Sequence, residues 1–115
     1  MFFDDIWYCV ARKSELSSQP FERVVCGHPM VLFQTAKSGA LVALENRCPH
    51  RQAPLSMGRV IGDEIMCNYH GWVMAADGSC VHVPHQETVP RNARIKSYPI
   101  EARWGFVWAW LGDPA

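Results

Sequence analysis

The chain has 115 residues, with 11 Lys and Arg against 11 Asp and Glu, and 49% of its residues are hydrophobic. This length is close to the commonest size of one domain, and it suffices to bury a core without disulfides. With a formal net charge of zero, the chain lacks the uniformly positive field that drives binding to phosphate backbones. We therefore expect no nucleic-acid partner.

The start of the chain and its apolar stretches bear on location. Asp4 and Asp5 stand where a secretory signal needs basic residues. No apolar stretch approaches the roughly 20 residues of a membrane span. We therefore expect a single domain over residues 1–115, in the cytoplasm and without a membrane partner.

Short strands carry the predicted fold. No segment shows helical apolar periodicity over about 11 residues, whereas short apolar and β-branched runs recur between turns that contain Gly or Pro. The predicted strands, in chain order, cover 7–11, 21–26, 30–34, 41–45, 59–61, 64–67, 72–75, 80–83, 95–102 and 106–111. The predicted turns between paired strands are 27–29, 62–63, 76–79 and 103–105, and only 14–19 reads as a linker. This spacing predicts an all-β chain built as a small antiparallel barrel or sandwich.

The segment from Arg47 to Gly58 departs from the strand pattern. It contains two Pro and one Gly and shows no alternation of apolar and polar residues. An ordered loop of this length in a compact domain usually serves a function.

Two loops each hold one cysteine and one histidine: Cys48 with His50, and Cys67 with His70. Structural zinc sites with two Cys and two His usually take their ligands as C-x2-4-C and H-x3-5-H, so that like is paired with like. Here each loop offers one thiolate and one imidazole. That arrangement suits a two-iron cluster in which one iron takes both thiolates and the other takes both imidazoles. A zinc-binding structural module is the alternative from another class.

These loops and their flanks resemble the cluster-binding signature of Rieske iron-sulfur domains, specifically the N-terminal domain of Rieske non-haem iron oxygenase α subunits. The resemblance is carried by CPHRQAPLSMG at 48–58 and CNYHGW at 67–72, and by the flanks 6–8, 42–47, 95–99 and 108–115. The sequence looks most like the branch with vanillate O-demethylase, dicamba monooxygenase and toluenesulfonate methyl-monooxygenase. The resemblance implies an all-β Rieske fold, with a small cluster-binding subdomain at about 46–84 inserted in a larger antiparallel β base.

The implied cofactor is one Rieske-type 2Fe–2S cluster held by Cys48, His50, Cys67 and His70. The residues expected to surround it are Pro49, Arg51, Pro54, Gly58, Tyr69, Gly71 and Trp72. Gly58 and Gly71 are expected to let backbone N–H groups approach the cluster closely, at places where a Cβ would intrude, and Pro54 is expected to shield the cluster from water.

The remaining cysteines and tryptophans are assigned structural roles. Cys9, Cys26 and Cys80 lie in apolar runs and are expected to be buried thiols. The tryptophans around the last strand pair, Trp104, Trp108 and Trp110, are expected to pack in the core or at a domain interface.

The resemblance implies electron transfer as the function. The chain would be the Rieske domain of the oxygenase component of an aromatic-compound monooxygenase or O-demethylase. It would relay single electrons from a flavin and iron-sulfur reductase to the mononuclear non-haem iron of an oxygenase catalytic domain. In the family that iron lies in a neighbouring subunit of a homotrimer. A stand-alone Rieske ferredoxin that serves a separate oxygenase is the alternative.

No catalytic mononuclear iron site is apparent in the sequence. Beyond the four predicted ligands only His28, His82 and His85 remain, and no carboxylate accompanies them in the pattern of a two-His, one-carboxylate site. We therefore expect this chain alone to carry electrons without oxidising a substrate. Arg47, Arg51 and Arg59, with no acid between them, predict a docking face for an acidic partner, with a solvated loop surface as the alternative.

Overall fold

The computed structural model describes residues 6–49, 53–68, 71–84, 89 and 93–111. These residues form eleven strands and two short 3-10 turns, Lys13–Glu15 and Leu55–Met57. The strands are β1 Ile6–Arg12, β2 Phe21–Val25, β3 His28–Gln34, β4 Leu41–Glu45, β5 Arg59–Ile61, β6 Glu64–Met66, β7 Val73–Ala75, β8 Cys80–His82, β9 Ser97–Tyr98, β10 Ile100–Arg103 and β11 Phe106–Leu111. Within the described ranges, no helix is long and apolar enough to cross a bilayer.

The strands form three antiparallel sheets, with the orders β1-β11-β10, β2-β3-β4-β9 and β5-β6-β7-β8. All strand pairs in these sheets run antiparallel. The predicted all-β antiparallel class is therefore confirmed.

The central strands β3 and β4 of the β2-β3-β4-β9 sheet are buried on both faces, as the alternation along β3 shows. Met30 and Leu32 belong to a first core, which also contains Val107 from β11. Val31 and Phe33 belong to a second core with residues of the third sheet. Because successive side chains of a strand point to opposite faces, one strand joins both cores. This explains why residues 30–33 read as a continuous apolar run.

Two turns differ from their predicted positions. The turn between β2 and β3 consists of Cys26 and Gly27, whose φ angles of 52° and 79° suit a tight two-residue hairpin. His28 and Pro29, predicted as part of that turn, belong to β3. The predicted strand 95–102 is two strands in different sheets, which separate at Pro99 because proline has no N–H for a ladder. The Pro99 carbonyl instead accepts a hydrogen bond from the Trp110 N–H at 2.9 Å.

The segment predicted as a linker, 14–19, is packed against the protein. Leu16 is buried in the first core. The Ser17 carbonyl accepts a hydrogen bond of 2.7 Å from the Gln34 N–H at the end of β3. The linker prediction was therefore wrong, because serine-rich composition cannot reveal the one buried leucine that anchors the segment.

The predicted burial of three cysteines was also wrong. Cys9 is exposed, and Cys26 and Cys80 are half-buried. Cys9 lies beside a register irregularity between β1 and β11, and Cys26 lies in the left-handed turn. Of the three predicted interior or interface tryptophans, Trp104 is 77% exposed, whereas Trp108 is half-buried.

Candidate metal centre

Cys48 and Cys67 lie in the same core, although 18 intervening residues separate them in the sequence. Each is only 1% exposed, and both belong to the second core. Leu55, Ile65 and Met74, all fully buried, belong to the same core. Both thiols thus lie in one apolar core that excludes water.

Each cysteine begins a stretch of backbone that is closed by its own hydrogen bond, and the two bonds have the same spacing in the sequence. The Cys48 N–H donates to the Ala53 carbonyl at 2.7 Å, and the Cys67 N–H donates to the Trp72 carbonyl at 2.7 Å. In both loops donor and acceptor are five positions apart in the sequence. We call residues 46–58 the first loop and residues 67–72 the second loop. The shared closure gives both cysteines a similar backbone setting.

Gly58 lets the end of the first loop approach the start of the second. A Cβ at Gly58 would lie 1.9 Å from the Met66 carbonyl oxygen and 3.2 Å from the Asn68 nitrogen. A Cβ at Gly58 would thus collide with the protein backbone, whereas the expected approach of Gly58 to the cluster stays a prediction. Position 71 favours glycine for a different reason, because its φ of 74° is left-handed. The nearest neighbour of an added Cβ there would be Pro84, at 3.4 Å. A side chain at Gly71 would be strained by conformation more than by contact.

The other predicted site residues are placed as follows. Pro49 is half-buried, and Pro54 is exposed where it begins the 3-10 turn Leu55–Met57. Trp72 is partly buried against the second core. Outside the described residues lie His50, Arg51, Tyr69 and His70.

The described donors fit an iron-sulfur cluster in kind. Cysteine thiolates are soft ligands that suit iron-sulfur clusters, and burial of both thiols in one core brings such ligands together. Among the described residues, no three His, Cys, Asp or Glu side chains converge. The two thiols are therefore the described half of the predicted ligand set.

The family model of the Rieske [2Fe-2S] domain matches residues 6–99. The chain belongs to this family. The two loops, their buried cysteines and the three antiparallel sheets are thus parts of a Rieske domain, whose cofactor is one Rieske-type 2Fe–2S cluster. The zinc alternative loses its basis.

Relatives and a solved structure support the same assignment. The chain is 44% identical, over its whole length, to the toluene-4-sulfonate monooxygenase system iron-sulfur subunit of Comamonas testosteroni, of which it covers 33%. It is 38% identical over 98% of its length to the vanillate O-demethylase oxygenase subunit of Pseudomonas sp. strain HR199, covering 31% of that protein. The crystal structure of apo dicamba monooxygenase matches with a TM-score of 0.93 and 37% identity, covering 98% of this chain and 35% of that one. The predicted branch of the family is therefore confirmed, and the chain spans about a third of the length of these relatives.

Sequence reasoning about the Rieske domain missed a buried polar residue, Asn46. It is 8% exposed, and its side chain makes hydrogen bonds to Glu22 and to Ser56. In the sequence, Asn46 is only one residue of the flank 42–47 that resembles the family. No local pattern indicates a bond between residues 24 positions apart.

Glu45, at the end of β4, ties the first loop to the segment before β9. Its carboxylate accepts hydrogen bonds from the Arg47 guanidinium at 2.8 Å and the Lys96 N–H at 2.6 Å. Burial acts to raise the pKa of Glu45, but the bonds from Arg47 and Lys96 outweigh it and hold the pKa below its ordinary 4.5.

This lowered pKa predicts a small loss of stability in acid. A carboxyl whose folded pKa lies below its unfolded pKa stabilises the fold above the unfolded value, and that contribution disappears as the pH falls through the folded pKa. Glu45→Gln should lower the free energy of unfolding near neutral pH by at most about 1 kcal/mol, because the pair is partly exposed. The difference from the unaltered protein should vanish below the folded pKa. Urea unfolding at a series of pH values measures it, and a difference that persists unchanged in strong acid would contradict the assignment.

Proposed function

We propose that this Rieske domain transfers single electrons within the oxygenase component of an aromatic-compound monooxygenase or O-demethylase. The observation that carries the proposal is the burial of Cys48 and Cys67 in one core. The backbone N–H of each cysteine also donates to the carbonyl five residues later. The relatives, a toluene-4-sulfonate monooxygenase subunit and a vanillate O-demethylase subunit, support the substrate class.

Four side chains are proposed to hold the cluster. Cys48 and Cys67 would bind one iron as thiolates, and His50 and His70 would bind the other through neutral imidazoles. When bound, the cluster supplies a site that accepts and gives up one electron at a time. We further propose that residues 46–84 form the cluster-binding subdomain, which is supported by the separate β5-β6-β7-β8 sheet within that range.

The chain's own residues set the environment of that site. Leu55, Ile65 and Met74 keep water from the two thiols, since all three are fully buried in the second core. Trp72 and Met74 carry no hydroxyl group, so neither can donate an O–H hydrogen bond to cluster sulfur. Because hydrogen bonds to cluster sulfur help to set the potential, we expect a potential at the low end of the Rieske range.

A flavin and iron-sulfur reductase is proposed to dock beside the loops. Met57 is 67% exposed, and with the exposed Arg59 it lines a cavity of about 280 Å³ that also borders Cys67 and Gly71. An apolar side chain next to a cation suits an acidic redox partner. Arg47 contributes less to such a face, since it already forms an ion pair with Glu45.

An apolar sheet face is proposed to contact the catalytic domain that holds the mononuclear iron. Trp7 and Phe106 of the β1-β11-β10 sheet and Trp104 of its β10–β11 turn are exposed. A cavity of about 220 Å³ lies between Trp7, Trp104 and Trp108. Exposed aromatic groups of this kind commonly mark protein interfaces. We propose the cytoplasm as the location, which suits thiol ligands that must remain reduced.

Iron and sulfide analysis with electron paramagnetic resonance tests the proposed function. Protein reconstituted with iron and sulfide should contain about two of each per chain, and after reduction by dithionite it should give the rhombic signal of a mixed-ligand cluster. The reduced protein should then return its electron to an added oxidant without converting any aromatic ether. A colourless protein with no iron after reconstitution would refute the proposal.

A further inference from the structure

Asn46 is the buried centre of a hydrogen-bond network where β4 leads into the first loop. Its amide nitrogen donates to a Glu22 carboxylate oxygen at 2.7 Å and to the Ser56 hydroxyl oxygen at 2.9 Å. Its amide oxygen accepts from the Ser56 N–H at 2.8 Å. The Asn46 backbone N–H also donates to the Pro29 carbonyl at 3.0 Å. We call Asn46, Glu22 and Ser56 the Asn46 network.

The Asn46 network ties both ends of the first loop to the base. Asn46 stands at the start of the loop, two residues before Cys48, and Ser56 lies in the 3-10 turn near its end. Glu22 is an exposed residue of β2, the edge strand of the β2-β3-β4-β9 sheet. Leu55, which precedes Ser56, is fully buried in the same core as Cys48. The loop that presents Cys48 is therefore fixed at two points by one side chain.

The chemistry of the network leaves few substitutes for asparagine. Both amide protons and the amide oxygen are used, so the site needs a donor toward a carboxylate and an acceptor toward an N–H on one short side chain. An apolar residue would leave the Ser56 N–H without its partner in a partly buried place, which is costly. The bond to the Glu22 carboxylate is assisted by its charge, which makes it stronger than a neutral pair.

We propose that Asn46 is a positioning residue that holds the first loop in the shape required to bind the 2Fe–2S cluster through Cys48. This inference rests on the proposed function, because it assigns Asn46 a role in cluster retention. It differs from a purely structural role in one respect: disturbing the network should affect the cluster more than it affects the base sheets.

An exchange of the amide and the carboxylate tests the proposal. Asn46→Asp places two carboxylates face to face and removes both donors, so reconstituted protein should lose iron to a chelator about tenfold faster and show a broadened signal after reduction. Adding Glu22→Gln to that variant places the amide donor at position 22 and the carboxylate acceptor at position 46. A hydrogen bond between the two positions can then form again, with its direction reversed. The double variant should lose iron within about twofold of the unaltered rate. Gln34→Ala, which removes another side-chain amide bond, of 2.9 Å to the Gly39 carbonyl, is the matched control and should change the rate by less than about twofold.

Hydrogen exchange gives a second readout that needs no cluster. In protein without cluster, the peptide that contains Ser56 should exchange faster in Asn46→Asp and recover in the double variant, while peptides of β3 and β11 stay unchanged. Iron loss at the unaltered rate in Asn46→Asp, or a double variant no better than the single one, would overturn the inference. If the unaltered chain itself binds no cluster, the proposed function fails as well, and this result is distinguishable because it appears before any substitution.

Discussion

Replacing Cys48 or Cys67 by serine should abolish cluster binding. A serine hydroxyl has nearly the size of the thiol but does not supply the thiolate that iron-sulfur clusters require, so bound iron should fall below about a tenth of its normal content. Because ligand binding and folding are coupled at such sites, the free energy of unfolding of the reconstituted protein should fall too. Iron analysis and visible absorption after reconstitution measure the effect.

Cys80→Ser provides the matched control for these variants. Cys80 packs against the same second core, and burial raises the pKa of its thiol. Its thiol is thus protonated near neutral pH and is outside the proposed ligand set. The Cys80→Ser protein should keep its full complement of iron. Equal loss of iron in all three variants would mean that the thiols act through packing alone, and a red-brown Cys48→Ser protein would remove Cys48 from the ligand set.

The strands were predictable from sequence because local signals and tertiary structure agree in them. β4 and β11 have their predicted bounds, Leu41–Glu45 and Phe106–Leu111, since β-rich runs end there at turn residues. The two-residue turn at 62–63 was also predictable, because glycine readily adopts the left-handed φ that such a turn requires. Gly62 indeed has a φ of 60°.

Other features depend on neighbours that are distant in sequence. The split of residues 95–102 into β9 and β10 follows from pairing with β4 and with β11, respectively. The exposure of Cys9 reflects where β1 meets β11, which apolar composition does not reveal. For the candidate site, the spacing of the two cysteines with His50 and His70 predicted a shared site, and the structure places both cysteines in one core. The Asn46 network was not, because its three members come from β2, the start of the first loop and the 3-10 turn.

Gly58→Ala should disrupt the contact between the two loops and with it the cluster site. The added Cβ would lie 1.9 Å from the Met66 carbonyl oxygen, and that oxygen belongs to the backbone of β6, so no flexible side chain can move aside. Either the end of the first loop or the strand that leads to Cys67 must shift. We expect a loss of about 3 kcal/mol in the free energy of unfolding, at the upper end of overpacking costs, and a fall in melting temperature of more than about 10 °C.

Gly27→Ala separates this effect from the general cost of replacing a glycine. Gly27 has a left-handed φ of 79°, and a Cβ there would meet nothing within 4 Å, so the variant should lose only the conformational cost of about 1 kcal/mol. It lies in the β2–β3 turn of the base, and its protein should still bind about two irons per chain. Gly58→Ala should show the opposite balance, with iron content reduced well before the base sheets unfold, because the clash displaces Cys67 relative to Cys48. If both variants were equally stable and bound equal iron, the close approach of the first loop to β6 would not be needed to bring the two cysteines together.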